Sequence, residues 1–138
     1  MTPFHLAFPV RDIEETRYFY GEVLGCPVGR SAPTWVDFDL YGHQMSAHLR
    51  TGQSAPAATG TVDGHAVPIP HFGAVLQMDA WKALAARLEA ADGINWVLKP
   101  QIRFEGEPGE QATLFILDPS GNALEFKGFS DLGKVFSA

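Results

Sequence analysis

Cysteine, long apolar runs and basic clusters are all scarce in this chain. Cys26 is the single cysteine, so an internal disulfide is excluded. No stretch approaches the ~18 consecutive apolar residues that a membrane-spanning helix needs. The first residues also lack a basic segment followed by an apolar core. We therefore expect no secretory signal and a cytoplasmic, reducing location.

The charge of the chain indicates which classes of partner to expect. The chain has 10 Lys and Arg against 16 Asp and Glu, for a formal net charge of −6. Because the basic residues do not cluster, neither nucleic acid nor an anionic membrane is an expected partner. With 138 residues, of which 46% are hydrophobic, the chain is long enough for one ordinary globular domain. A small molecule is the partner we expect.

Four predicted strands each carry a metal-capable side chain on the face opposite their apolar residues. The turn signal Asp118-Pro-Ser-Gly-Asn leads into a strand in which Leu124 and Phe126 share one face and Glu125 takes the other. The same arrangement occurs around three histidines: His5, His48 and His71. In each strand a residue two positions away is small, which leaves room for a ligand.

The same succession of elements occurs twice along the chain. A strand is followed by a helix of about 13 residues beginning at Asp12 and then by further strands, and a second helix begins at Asp79 after the strand of His71. We predict one module over residues 3–50, an exposed linker without periodicity over 51–69, a second module over 70–129 and a tail over 130–138. The predicted fold is α+β, with two βαβββ modules forming a curved, partly open mixed sheet barrel around a central cavity.

Several residues outside these patterns have simpler expected roles. The aromatic residues Trp35, Phe38 and Trp96 are expected in the core, together with Cys26. His43 is expected in a solvated turn, and residues 100–110 are expected to form a polar loop.

Taken together, these motifs resemble the vicinal oxygen chelate superfamily. That group contains glyoxalase I, extradiol dioxygenases, fosfomycin-resistance enzymes, methylmalonyl-CoA epimerase and the bleomycin-resistance proteins. The resemblance covers residues 3–129. It is carried by His5, by the segment 12–20 with Leu24-Gly25, by His71 and by the segment 118–125.

The resemblance implies a metal site. In metal-dependent members the ligands come from the first and last strands of each module, which implies His5, His71 and Glu125 as ligands of one Fe(II), Mn(II), Zn(II) or Ni(II) ion. Glu125 would then be catalytic as well as a ligand. His48 lies where some members place a fourth ligand, and if it does not ligate, it would act as an acid or base. Homodimerisation is also implied.

Each candidate residue has a plainer interpretation when taken alone. A single strand histidine is commonly a packing residue, and a single strand glutamate is commonly solvated. Jointly they favour a metal enzyme acting on a small substrate through two neighbouring oxygens, of extradiol dioxygenase or glyoxalase I type. The alternative is a metal-free protein that sequesters ligands, as bleomycin-resistance proteins do. The sequence leaves open whether the modules pair within one chain or across two.

Overall fold

The computed structural model describes residues 1–51, 58–62 and 65–137, with the backbone alone for 58–62 and 65. The chain divides into two units. The first comprises Met1–Pro56 and Asp118–Asn122, and the second comprises Ala57–Leu117 and Ala123–Ala138. Each unit contains one four-stranded mixed sheet.

The first unit is built from four strands and one α-helix. These are β1 (His5–Val10), α1 (Ile13–Tyr18), β2 (Val28–Ala32), β3 (Trp35–Leu40) and β4 (His43–Leu49). The strands lie in the order β1, β4, β3, β2. Strands β1 and β4 are parallel, whereas the other neighbours are antiparallel. The unit is therefore a βαβββ module.

The helix after β1 is shorter than the sequence predicted. Asp12 caps it, since its side chain accepts a hydrogen bond from the backbone N–H of Glu15 at 2.7 Å. The α-helix ends at Tyr18 and continues as a π-helical turn, Phe19–Val23, in place of one uniform helix. Apolar residues three and four positions apart fit both kinds of turn, so the sequence does not mark the change.

Tyr20 joins this helical segment to the sheet and to the turn Asp118–Asn122. Its buried ring stacks on Phe38 with the centroids 5.1 Å apart. Its hydroxyl donates a hydrogen bond to Oδ2 of Asp118 at 2.9 Å. Asp118 also accepts hydrogen bonds from two backbone N–H groups of the turn and from the side-chain amide of Asn122. The predicted turn is thus fixed by a buried carboxylate.

The second unit contains a hairpin and a second βαβββ module. The hairpin pairs β5 (Ala58–Val62) with β6 (His65–Ile69). The module consists of β7 (Phe72–Gln77), α2 (Met78–Ala90), β8 (Asn95–Arg103), β9 (Gln111–Leu117) and β10 (Ala123–Phe129), followed by a short 3-10 turn, Leu132–Lys134. Its strands lie in the order β7, β10, β9, β8, with β7 and β10 parallel.

Helix α2 packs on β10 through Trp81. The buried indole donates a hydrogen bond from Nε1 to the carbonyl of Phe126 at 2.8 Å. A Cβ at Gly128 would lie 2.7 Å from the Cβ of Trp81, so only glycine lets the helix lie this close to the strand. Neither this helix nor any other in the described part of the chain is long and apolar enough to cross a membrane.

The α+β class and the two βαβββ modules are confirmed, and neither four-stranded sheet closes into a barrel in the described residues.

Three local predictions are wrong. Paired strands occupy part of the stretch 51–69, although its residues 52–57 and 63–64 lie outside the described chain. Strand β8 extends to Arg103, because Pro100 lies within an edge strand where its missing N–H is tolerated. Trp35 and Trp96 are both half-buried rather than in the core, with Trp35 on the polar face of β3.

Burial raises the pKa of Asp118 above its ordinary value, although the hydrogen bonds to its carboxylate oppose the shift. The folded state therefore holds this proton more tightly than the unfolded chain, in which the pKa of Asp is about 3.9. The stability that protonation contributes is complete below about pH 3.9 and is lost as the pH rises through the raised pKa.

Replacing Asp118 by Asn removes this titration. The unfolding free energy of wild type minus that of Asp118→Asn should therefore be larger at low pH than at neutral pH. Urea unfolding of both proteins between about pH 3 and pH 7 measures that difference, in which the other titrating groups cancel. A difference that grows as the pH rises would contradict the assignment.

Candidate metal centre

Glu125 lies in the middle of β10, on the face of the sheet that helix α2 does not cover. Leu124 and Phe126 are fully buried on the other face. Glu125 lies opposite Gly73 on β7 and opposite Phe115 on β9. Although its side chain faces away from the helix, Glu125 is only 8% exposed. A buried carboxylate needs partners, since burial without them is costly.

Two side chains contact the carboxylate of Glu125. Thr113 donates a hydrogen bond from Oγ1 to Oε2 at 2.6 Å. Nε2 of His71 lies 3.4 Å from Oε1. The other ring nitrogen of His71, Nδ1, lies 2.7 Å from the carbonyl oxygen of Pro68. Because a carbonyl only accepts, Nδ1 carries a proton, and Nε2 is the ring nitrogen that faces Glu125.

The β5–β6 hairpin covers part of this face. Val67 on β6 is buried in a cluster with Phe115 and Ala123. Partly buried residues of the unit complete the cluster: Val97, Leu98 and Leu117. The stretch that we expected to be an exposed connection therefore supplies both an apolar cover and the carbonyl that orients His71. Alternation did not predict this hairpin, because Gly60 and Pro68 interrupt the pattern.

The spacing of Nε2 of His71 and Oε1 of Glu125 suits a shared divalent ion. A direct hydrogen bond would bring them to about 2.7–3.2 Å. Two donor atoms that are each about 2.1 Å from a metal, at a tetrahedral angle, lie about 3.4 Å apart. The observed distance is 3.4 Å. An imidazole nitrogen and a carboxylate oxygen are also ligands that Fe(II), Mn(II), Zn(II) and Ni(II) accept, so the pair fits such an ion.

The first unit holds the other predicted ligand, His5, at the start of β1. The parallel register places His5 beside Gln44 on β4, and its Nδ1 lies 2.9 Å from Oε1 of Gln44. Nε2 of Gln44 donates to Oδ2 of Asp37 on β3 at 3.3 Å. Ser46 donates to Oδ1 of the same carboxylate at 2.6 Å. His5 is thus the exposed end of a hydrogen-bonded row across three strands.

His48 lies at the other end of the same face. It pairs with Pro9, four residues beyond His5 along β1, which corresponds to about 13 Å. It lines a cavity of about 270 Å³ together with Ala7, Pro9 and Arg50, among others. The register therefore does not bring His48 to His5. The position beside His5 belongs to Gln44.

Comparison of the two modules identifies the counterpart of Glu125 in the first one. Extending the β7–β10 register by one residue places His71 opposite Ala123, two residues before Glu125. In the first module, His5 lies opposite Gln44, and two residues further on is Ser46. The place of Glu125 is thus taken by Ser46, which donates a hydrogen bond to Asp37. In the first module Asp37 is the residue opposite Ser46, and in the second module Phe115, with a fully buried ring, is the residue opposite Glu125.

Four partners of the candidate residues, two in each unit, were not predicted: Gln44 and Asp37 in the first unit, and Thr113 and the carbonyl of Pro68 in the second. The alternation of β3 and β4 already placed Gln44 and Asp37 on polar faces. Which of these side chains meet depends on strand register, which alternation does not determine. The prediction that His43 lies in a solvated turn is also wrong. His43 is the first residue of β4 and is half-buried, and its Nδ1 accepts a hydrogen bond from the backbone N–H of Phe4 at 2.8 Å.

Among the side chains that the structure describes, no three His, Cys, Asp or Glu residues gather closely enough to hold a metal ion. His71 and Glu125 are brought together within the second unit. His5 and His48 belong to the first unit, at different places on one face.

Gly73 is the residue that lets β7 approach β10 beside Glu125. A Cβ at this position would lie 1.6 Å from the carbonyl oxygen of Glu125, and this backbone atom cannot rotate away as a flexible side chain could. Gly73→Ala should therefore lower the unfolding free energy by at least about 2 kcal/mol. Gly109→Ala is the matched control, since nothing lies within 4 Å of its Cβ, and should change stability by less than about 0.5 kcal/mol. Urea unfolding compares the two, and equal effects would show that the close approach is not needed.

Comparison with known proteins agrees with this architecture. The profile of the Glyoxalase/Bleomycin resistance protein/Dioxygenase superfamily matches residues 2–126. No curated protein sequence matches the chain significantly. Among solved structures, a glyoxalase/bleomycin resistance protein/dioxygenase from Alicyclobacillus acidocaldarius is 31% identical, with a TM-score of 0.77 over 98% of this chain and 96% of that one.

Two more distant structures share the fold alone. The genomically encoded fosfomycin resistance protein FosX from Listeria monocytogenes is 14% identical, with a TM-score of 0.69 over 97% of each chain. TioX from Micromonospora sp. ML1 is 16% identical, with a TM-score of 0.63 over 94% of this chain and 99% of that one. The profile match spans both βαβββ modules, and the 31% identical structure spans nearly the whole chain. The chain belongs to the Glyoxalase/Bleomycin resistance protein/Dioxygenase superfamily.

Proposed function

We propose that this protein is a mononuclear metal-dependent enzyme that acts on a small substrate bound through two neighbouring oxygens. His5, His71 and Glu125 would hold one Fe(II), Mn(II), Zn(II) or Ni(II) ion. The observation that carries the proposal is the pair formed by His71 and Glu125, whose facing atoms are 3.4 Å apart. The other polar atom of each side chain also has a partner: Nδ1 of His71 contacts the carbonyl of Pro68, and Oε2 of Glu125 accepts a hydrogen bond from Thr113.

The residues around this pair have two tasks in the proposed enzyme. Thr113 and the carbonyl of Pro68 fix the carboxylate and the imidazole before anything binds, which lowers the cost of assembling the site. Val67 and Phe115 exclude water from one side. A divalent ion at such a site would stabilise negative charge that develops on a substrate oxygen. Three protein ligands leave positions for two substrate oxygens.

His5 would complete the ligand set from the first unit. It would come either from the same chain or from a second copy in a homodimer, and dimers are common in this superfamily. His48 is not part of the proposed ligand set, because it lies about 13 Å along the sheet from His5. We propose that His48 instead meets the distal part of the substrate, as an acid, base or hydrogen-bonding group.

Within this proposal the reaction is of extradiol dioxygenase or glyoxalase I type. Both reactions use two oxygens of the substrate as ligands. The identity of the bound metal separates them: iron would direct assays to catechols and oxygen uptake, and nickel or zinc would direct them to hemithioacetals.

A metal-free protein that sequesters small ligands is the second candidate. It is favoured by one observation, that no three candidate ligands gather among the described side chains. Against it stands the arrangement of His71 and Glu125, since a sequestering cleft has no need of an imidazole and a carboxylate held at this spacing.

Metal content decides between the two candidates. Protein purified without chelator or an affinity-tag metal should contain about one transition metal ion per chain, measured by elemental analysis. His71→Ala and Glu125→Ala should each lose most of it, because each removes a ligand. Glu14→Ala is the matched control, since this glutamate is exposed on α1, and it should retain the metal. Wild type that contains no metal and takes none up on reconstitution would favour sequestration.

Mixing two inactive variants tests whether the site spans two chains. If His5 of one copy meets His71 and Glu125 of another, a heterodimer of His5→Ala and Glu125→Ala chains contains one intact site and one doubly broken site. Random pairing of equal amounts should then restore metal binding and turnover to about a quarter of wild-type sites. If all three ligands come from one chain, mixing restores nothing. Either variant alone should be inactive in both cases.

A further inference from the structure

We propose that Gln44, itself oriented by Asp37, positions His5 by fixing which nitrogen of its ring carries the proton. The inference rests on the proposed function, because it assigns His5 the task of presenting Nε2 as a ligand. It goes further in naming two positioning residues, on β4 and β3.

Asp37 anchors the row. It lies on β3, where it pairs with Ser46, and is only 8% exposed. Ser46 donates to Oδ1 at 2.6 Å, and the remaining oxygen, Oδ2, faces Gln44. On the side toward β2, Asp37 packs against Gly29, where a Cβ would lie 3.4 Å from the Cβ of Asp37. The carboxylate is thus confined between neighbouring strands.

Asp37 determines the orientation of the Gln44 amide. A carboxylate accepts hydrogen bonds and does not donate them, so the NH2 group of Gln44 must face it. That contact is 3.3 Å long, near the upper limit for a hydrogen bond. The opposite amide orientation would place the carbonyl oxygen of Gln44 against the carboxylate, which is repulsive. The carbonyl oxygen is therefore left facing His5.

Gln44 in turn determines the tautomer of His5. Its Oε1 lies 2.9 Å from Nδ1 of His5, and an amide oxygen only accepts, so Nδ1 carries the proton. A neutral His5 then has its lone pair on Nε2, which is the form that binds a metal through Nε2. Free histidine favours the opposite tautomer, with the proton on Nε2. The row across β1, β4 and β3 therefore imposes the intrinsically less favoured form.

The second module achieves the same result with a different partner. Nδ1 of His71 donates to the backbone carbonyl of Pro68 at 2.7 Å. A backbone carbonyl cannot rotate about a side-chain bond, so it needs no further residue to orient it. A glutamine amide can flip, which explains why Gln44 needs Asp37 beyond it, whereas Pro68 needs no such support.

The tautomer of His5 can be measured in metal-free protein by two-bond nitrogen–proton NMR correlation on ¹⁵N-histidine-labelled samples. The pH should lie well above about 6.5, the ordinary pKa of histidine. In wild type His5 should carry its proton on Nδ1. Gln44→Leu removes the acceptor with little change in volume and should return His5 to the Nε2–H form. Metal affinity of that variant should fall about 10–100-fold.

Three further variants separate positioning from a merely structural role. Gln44→Glu combined with Asp37→Asn keeps an acceptor facing His5 and a donor beyond it, so this double variant should keep the Nδ1–H form. Asp37→Asn permits the Gln44 amide to flip and should produce a measurable Nε2–H population. Gln77→Leu, the same change on β7, where Gln77 contacts the carbonyl of Ser130, should leave His5 unaffected.

The outcomes distinguish this inference from the proposed function. Wild-type His5 with its proton on Nε2, or a Gln44→Leu variant that keeps the Nδ1–H form, would overturn the inference whatever the metal content. An unchanged tautomer in Asp37→Asn would overturn the role of Asp37 alone. A wild type with the expected tautomers but no metal would overturn the proposed function and leave the hydrogen-bonded row established.

Discussion

The parallel pairing of the first and last strands in each module is the constraint on which both halves of the proposed site depend. Parallel strands cannot be joined by a tight turn, and in each module a helix and two more strands lie between them in sequence. In the second module the pairing places Gly73 against Glu125, and the absence of a side chain on Gly73 permits the close approach. In the first it places His5 against Gln44. The helices cover one face of each sheet, and the proposed ligands lie on the other face, which in the second module also carries the apolar cluster around Val67.

Each proposed ligand is held at the atom that a metal would not use. The partners are Thr113 for Oε2 of Glu125, Pro68 for Nδ1 of His71 and Gln44 for Nδ1 of His5. These contacts offset the cost of desolvating polar groups and restrict each side chain to few conformations. Because a histidine with its proton fixed on Nδ1 presents a lone pair only at Nε2, the same bonds that stabilise the fold also select the reactive atom. Stability and chemistry are therefore not separable at these positions.

Alternation within a strand was enough to predict which face His5, His71 and Glu125 occupy, because it depends on the local backbone alone. It was not enough to predict which polar residues meet across strands. His48 and Gln44 share a face on β4, yet only Gln44 lies beside His5. The β5–β6 hairpin was missed for a related reason: its position is fixed by Val67 packing on Phe115 and Ala123, and such a distant contact leaves no periodic signal nearby. The π-helical turn after α1 was missed because its apolar spacing fits an α-helix equally well.

The proposed ligand set also makes metal binding and assembly depend on each other. His5 belongs to one unit of the fold, whereas His71 and Glu125 belong to the other. In the proposed enzyme, an ion held by all three would stabilise the arrangement in which the ligand set is complete, according to its concentration relative to its dissociation constant. By the same linkage, anything that favours the arrangement raises metal affinity by an equal factor. If the halves come from two chains, metal affinity should therefore rise with protein concentration, and removal of metal should weaken the dimer. If they come from one chain, neither quantity should depend on concentration.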